Sequence, residues 1–377
     1  MQDVLDTAVE QQDAPFLVAM TGDSEGVTWS GTSGSARDGS AATLDTAFRI
    51  FSMTKAVGAT AAMILIERGE LSFDTPVADV IPAFDDLQVI QSIEGGDVSL
   101  VDARATATVR HLATHTSGLV YEYWDATMAA YLEATGATPV LSGTKEGLRY
   151  PLAFQPGARW GYGIGIDWLG QVVEAVDGRR IDEFCQVEIF DPLAMADTSF
   201  EPNQLVDRMA EVKMRGEDGS FGPYEIAPPP HPEVYGMGHA LYSTAPDYLR
   251  FLRMFLRGGE LDGNRVLSQQ SVEQMLANHI GDLRVTPMPS QAPPLSADVT
   301  LFPDTPKTHS FGFVRVEEDV PGMRSAGSQG WAGVLNSHYW FDPAADLAAV
   351  IMTQSLPFAD PRFMATYEAF EKAVYAA

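Results

Sequence analysis

One uncharged run constrains this chain more than any other segment: AVGATAAMILI, residues 56–66, entered through FSMTK and closed by ERGEL. The spacing predicts a helix in which Ala56, Ala59, Ala62, Met63 and Ile66 lie close to one apolar side. With no charge on any face, such a helix is expected to be buried almost all round. At its start Ser52 and Lys55 stand three residues apart. That spacing puts a hydroxyl and an amine on one face, a helical turn apart.

The 377 residues exceed what a single hydrophobic core usually serves, so two lobes are expected. Residues 1–14 read as an amphipathic helix; PFLVAMTG and GVTWSGTSG then read as a hairpin. From about 74 to 240 the chain reads as helical pieces between loops rich in Pro and Gly, two further helices follow, and 281–305 reads as a long proline-rich loop. The C-terminal part alternates like strands before a last helix near PRFMATYEAFEKAVY. Those late strands need distant partners, and the N-terminal pair supplies them. The expected fold class is therefore α/β (α+β). Residues 1–75 and 240–377 would form a domain with an antiparallel sheet, and 76–239 an inserted, mainly helical domain.

A formal net charge of −27, from 24 basic and 51 acidic residues, repels phosphate backbones and anionic lipid. Nucleic-acid and membrane partners are not expected. No apolar run reaches membrane-spanning length, and no basic leader is visible in the N-terminal residues. The expectation is a soluble, cytoplasmic protein, periplasmic or secreted only if a leader precedes this chain. Cys185, the single cysteine, excludes an internal disulfide and reads as a small buried residue in IDEFCQVEIF.

A serine hydroxyl needs a base before it attacks a carbonyl. The nucleophile-elbow pattern G-x-S-x-G is absent, AGSQG at 326–330 being the nearest approach, and none of the seven histidines stands in a recognisable triad context. Lysine can serve if its amine is neutral, and an apolar helix around it favours that form by desolvation. The helix N-terminus would in turn favour a developing alkoxide. By spacing alone, a helix N-cap is an equally good role for Ser52. His111 and His115, four apart, lack a third metal ligand of suitable context, and GYGIG matches neither glycine-rich nucleotide motif. No metal or cofactor is expected.

FRIFSMTKAVGA resembles the Ser-x-x-Lys motif of the serine β-lactamase and penicillin-binding-protein superfamily, in particular the esterase-like branch related to class C β-lactamases (family VIII-type carboxylesterases). VRHLATHTSGL, FQPGARWGYGIGIDWLGQVVEAVDG, IFDPLAMADTSF and GHALYSTAPDYLRF extend the resemblance in order along nearly the whole chain. The resemblance implies a β-lactamase-like fold with its active site in the cleft between the two lobes. It implies Ser52 as the acyl-forming nucleophile, Lys55 as its base, and Tyr162 as the tyrosine of the Tyr-x-Asn motif. Here Ile164 replaces the Asn of that motif, and Trp331, Ala332 and Gly333 stand where the family carries Lys/His-Thr-Gly. The backbone N–H groups of Ser52 and Val334 would form the oxyanion hole. Tyr121, Tyr123 and Trp124 would line an acyl or alcohol pocket, and Phe311, Phe313 and His338 are weaker candidates. The activity implied is hydrolysis of short- to medium-chain esters of small molecules by a monomer or weak homo-oligomer. β-Lactam, amide or D-aminopeptidase-like hydrolysis and acyl transfer are alternatives; a catalytically silent binding protein is a remoter one.

Overall fold

Strand Phe16–Gly22 is buried along its whole length, and its two neighbours come from opposite ends of the chain. On one side it pairs with Val27–Arg37, on the other with Leu347–Met352, so that Met20 faces both Ser30 and Val350. The computed structural model describes residues 1–377. Its main sheet has eight antiparallel strands in the order Lys307–His309, Val314–Val316, Gln329–Gly333, Ser337–Asp342, Leu347–Met352, Phe16–Gly22, Val27–Arg37 and Ser40–Ala41. The non-local pairing expected from the alternating termini is thus present.

Alternation along the central strand explains its complete burial, since successive side chains serve opposite faces. Leu17 and Ala19 join Trp340, Ala349 and Ile351 beneath the terminal helices Gln2–Glu10 and Pro361–Tyr375. Phe16, Val18 and Met20 turn to the larger core on the other face, which holds Ala56–Leu65 of the uncharged helix and most of the helix Ala245–Leu256. The uncharged helix itself spans Thr54–Glu67 and is buried from Thr54 through Leu65. A sheet covered on both faces carries near-continuous apolar strands, as found here.

One element in the region read as helical is a hairpin, Val89–Glu94 with Asp97–Val101. Its signal was the Gly95-Gly96 pair. Both glycines have positive φ, +59° and +90°, which a tight two-residue hairpin turn requires. The segment 281–305 is irregular apart from single bridges of Met288 with Val299 and of Ser296 with Phe358, in keeping with a long loop. No helix is long and apolar enough to cross a membrane.

The C-terminal helix is fastened by charge to the loop that joins the strands Val314–Val316 and Gln329–Gly333. Arg324 Nε and Nη2 donate to the two carboxylate oxygens of Glu371 at 2.7 and 2.8 Å, and the side chains are 4% and 0% exposed. Glu371→Ala leaves that guanidinium buried without its partner. It is expected to lower unfolding free energy by about 3–5 kcal/mol, read from urea denaturation.

Candidate active site

The sequence FSM forms a single 3₁₀ turn, Phe51–Met53, that feeds directly into the helix Thr54–Glu67. Phe51 adopts φ +42°, a region that bulky side chains rarely occupy. Its ring is held in an apolar cluster with Val212, Leu335 and Leu356, which fixes the strained residue immediately before Ser52. Ser52 does not cap the helix, because Met53 is the N-cap and no side-chain bond closes that end. The Ser52 hydroxyl faces Lys55 instead.

Lys55 is 1% exposed. Its Nζ lies 3.2 Å from Ser52 Oγ, 3.1 Å from the Tyr121 hydroxyl and 2.8 Å from the Gly238 carbonyl oxygen. An ammonium would donate to all three. A neutral amine fits equally well: two N–H groups donate to Tyr121 and Gly238, and the lone pair receives the O–H of Ser52. The arrangement therefore has a place for the base form as well as for the ammonium. Gly238 is held by Asp167, whose Oδ1 accepts from the Gly238 N–H at 3.0 Å.

Two tyrosines flank the amine, and the structure divides their tasks differently from the sequence assignment. Tyr162, expected as the tyrosine of the Tyr-x-Asn motif, presents its ring at 4.8 Å from Nζ, while its hydroxyl accepts from Trp331 Nε1 at 3.0 Å. An indole N–H can only donate, so Tyr162 keeps its own O–H proton free to give. Tyr121, expected only as a pocket wall, makes the direct bond to Lys55. Burial, and next the Asp167 carboxylate, push its hydroxyl well above the ordinary phenol range, so it serves as a neutral phenol. The two segments are laced together where the Tyr121 N–H donates to the Tyr162 carbonyl at 3.0 Å.

Ser52 opens on a cavity of about 60 Å³ with Tyr121, Tyr123, Trp124 and Val334 in its wall. Four of the expected pocket and oxyanion residues are thus brought to the nucleophile. Ile164 is not: it is fully buried at the head of the helix Gly165–Asp177 and is no part of that wall, because the helix start turns it into the core. Trp331 faces a second, open pocket of about 390 Å³, with Trp160 and the proline-rich segment around Met288. Ala332 is buried within the strand Gln329–Gly333. Phe311, Phe313 and His338 are buried away from the cavity.

His111 belongs to the cap of the turn Val109–Ala113, and His115 packs against Tyr162 and His309; their four-residue spacing serves two separate structural tasks. Sequence reasoning missed two residues around the amine. Gly238 stands in GHALYSTAPDYLRF and Asp167 in GYGIGIDWLG, segments that matched a family pattern but carried no residue roles.

The Beta-lactamase family model matches residues 1–373. The chain belongs to the Beta-lactamase family. It is 31% identical to the lovastatin esterase of Penicillium rubens over 336 residues, covering 85% of this chain and 83% of that protein. It is 27% identical to the monacolin J acid methylbutanoyltransferase of Aspergillus terreus, covering 88% and 83%. A variant of simvastatin synthase from Aspergillus terreus superposes with a TM-score of 0.84 at 25% identity, covering 99% of this chain and 93% of that one. These relatives are thus named as an esterase and a methylbutanoyltransferase.

Gly333 sets how closely the strand passes the nucleophile turn. A Cβ there would lie 2.3 Å from the Ile50 carbonyl oxygen. Gly333→Ala is expected to cost about 1–3 kcal/mol of stability by overpacking and to slow labelling of Ser52 by a fluorophosphonate, measured by denaturant midpoint and intact mass.

Proposed function

We propose that this protein is a carboxylesterase acting on short- to medium-chain esters through an acyl–Ser52 intermediate. The observation that carries this reading is the buried contact of Lys55 Nζ with Ser52 Oγ at 3.2 Å, at the edge of an apolar cavity. Lys55 takes the serine proton as Oγ attacks the ester carbonyl. The backbone N–H groups of Ser52 and Val334 receive the developing oxyanion. Tyr121 holds the amine in place. Tyr162 gives its O–H proton to the departing alcohol, and the proton held on Lys55 replaces it, so that lysine and tyrosine both regain their starting states. No step needs a metal or cofactor.

The width of the cavity supports a short acyl group beside Ser52, with bulkier parts of the substrate lying outside it. Trp331 in place of a cation offers a carboxylate no charge partner, which argues against efficient β-lactam turnover. Acyl transfer is the second reading, supported by the transferase among the relatives and by the small, mostly apolar cavity beside Ser52. Both readings share the acyl–Ser52 intermediate and differ in what attacks it.

Wild-type protein is expected to release p-nitrophenol from p-nitrophenyl butyrate, and Ser52→Ala to lose about 1,000-fold or more of that rate. Retained turnover in the Ala variant would contradict the mechanism. Added butanol sorts the two readings: butyl butyrate formed at the expense of butyrate marks a transferase, and butyrate alone marks an esterase. Tyr121→Phe removes one oxygen from Lys55. It is expected to lower kcat/KM by about 10- to 100-fold, the effect of one lost buried hydrogen bond, in the same assay.

A further inference from the structure

The acyl–Ser52 reading leaves open what activates the second nucleophile. We propose that His239, backed by Asp167, is the base that takes a proton from the water or alcohol attacking acyl–Ser52. The proposal rests on that reading.

Three observations carry it. His239 forms part of the wall of the same cavity of about 60 Å³ as Ser52. Its Nδ1 is buried and lies 3.3 Å from Asp167 Oδ1, out of line for a full hydrogen bond. An imidazole that turns Nδ1–H towards a carboxylate presents the lone pair of Nε2 on its opposite edge, the tautomer a general base needs. Finally, Asp167 is 0% exposed and its Oδ2 has no hydrogen-bond partner. A buried carboxylate so sparsely satisfied is unfavourable by itself and calls for a neighbouring positive charge. An imidazolium formed at His239 during turnover supplies one.

The acylation base is poorly placed for this second step. Lys55 lies behind Ser52, engaged by Tyr121 and Gly238, and neither it nor Tyr162 forms part of the cavity wall. The other titratable groups in that wall, Tyr121 and Tyr123, are both held as neutral phenols by burial. An entering water or alcohol therefore meets one imidazole and no other ready base.

In the step itself, the oxygen of the nucleophile bonds to the acyl carbonyl carbon as its proton passes to His239 Nε2. The tetrahedral intermediate then collapses with cleavage of the carbon–oxygen bond to Ser52. The imidazolium returns its proton to Ser52 Oγ, so that serine and histidine both regain their starting states and the acid, or the new ester, is released.

The test separates the two half-reactions in the full-length protein. Stopped-flow release of p-nitrophenol from p-nitrophenyl butyrate gives the burst (acylation) and the following steady state (deacylation). Wild type is compared with His239→Gln, His239→Asn, His239→Ala and Asp167→Asn. In at least one His239 variant the burst rate should stay within about threefold while the steady state falls about 100-fold, the usual worth of a general base. Acyl–Ser52 should then accumulate by intact mass, and imidazole should restore turnover to His239→Ala. Asp167→Asn should lower the steady state by more than the burst, the burst also falling because Asp167 holds Gly238, whose carbonyl accepts from Lys55. The proposal is overturned if every His239 variant loses both rates by the same factor, or if none changes either. A wild-type protein that never acquires an acyl group on Ser52 would instead refute the ester reading, and this proposal with it.

Discussion

Everything at this site depends on burying one amine. Lys55 is almost inaccessible, and removing a cation from water is unfavourable by several kcal/mol unless oxygens replace its hydration. Three oxygens do so, from the nucleophile turn, the segment after HTSG and the segment that ends in Gly238. Each belongs to a different stretch of the chain. The site exists only once the whole protein has folded around the amine.

The sheet explains how those stretches meet. Strand Phe16–Gly22 joins the two ends of the chain, and the strand Gln329–Gly333 passes the nucleophile turn closely because Gly333 has no side chain. Trp331 on that strand fixes the Tyr162 hydroxyl, so the register of the strand sets where that hydroxyl sits. The strain at Phe51 is borne by its apolar cluster and not by the residues that react.

Much of this was legible beforehand, for identifiable reasons. The uncharged run had to be a buried helix, and alternation at both ends had to yield one sheet, because both follow from local periodicity. Ser52 and Lys55 were legible from spacing and context together. The division of labour between Tyr121 and Tyr162 was not, since it turns on which hydroxyl an indole N–H reaches across 169 residues. Nor was Ile164: a position within a motif says nothing about whether its side chain points to the cavity or the core. Gly238 contributes a carbonyl, which every residue carries, so no side-chain pattern could have marked it. The Val89–Val101 hairpin, by contrast, was announced by Gly95-Gly96 and went unread because helical segments surround it.

The claim that Lys55 works as a base, and not merely as a charge, is open to one direct measurement. Arginine keeps the positive charge and the donors but cannot give up its proton in a protein. The rate of Ser52 acylation, followed by intact mass and peptide mapping, should fall by about 1,000-fold or more in Lys55→Arg if proton removal by Lys55 is what activates the serine. Acylation of Ser52 at the wild-type rate in that variant would contradict the mechanism.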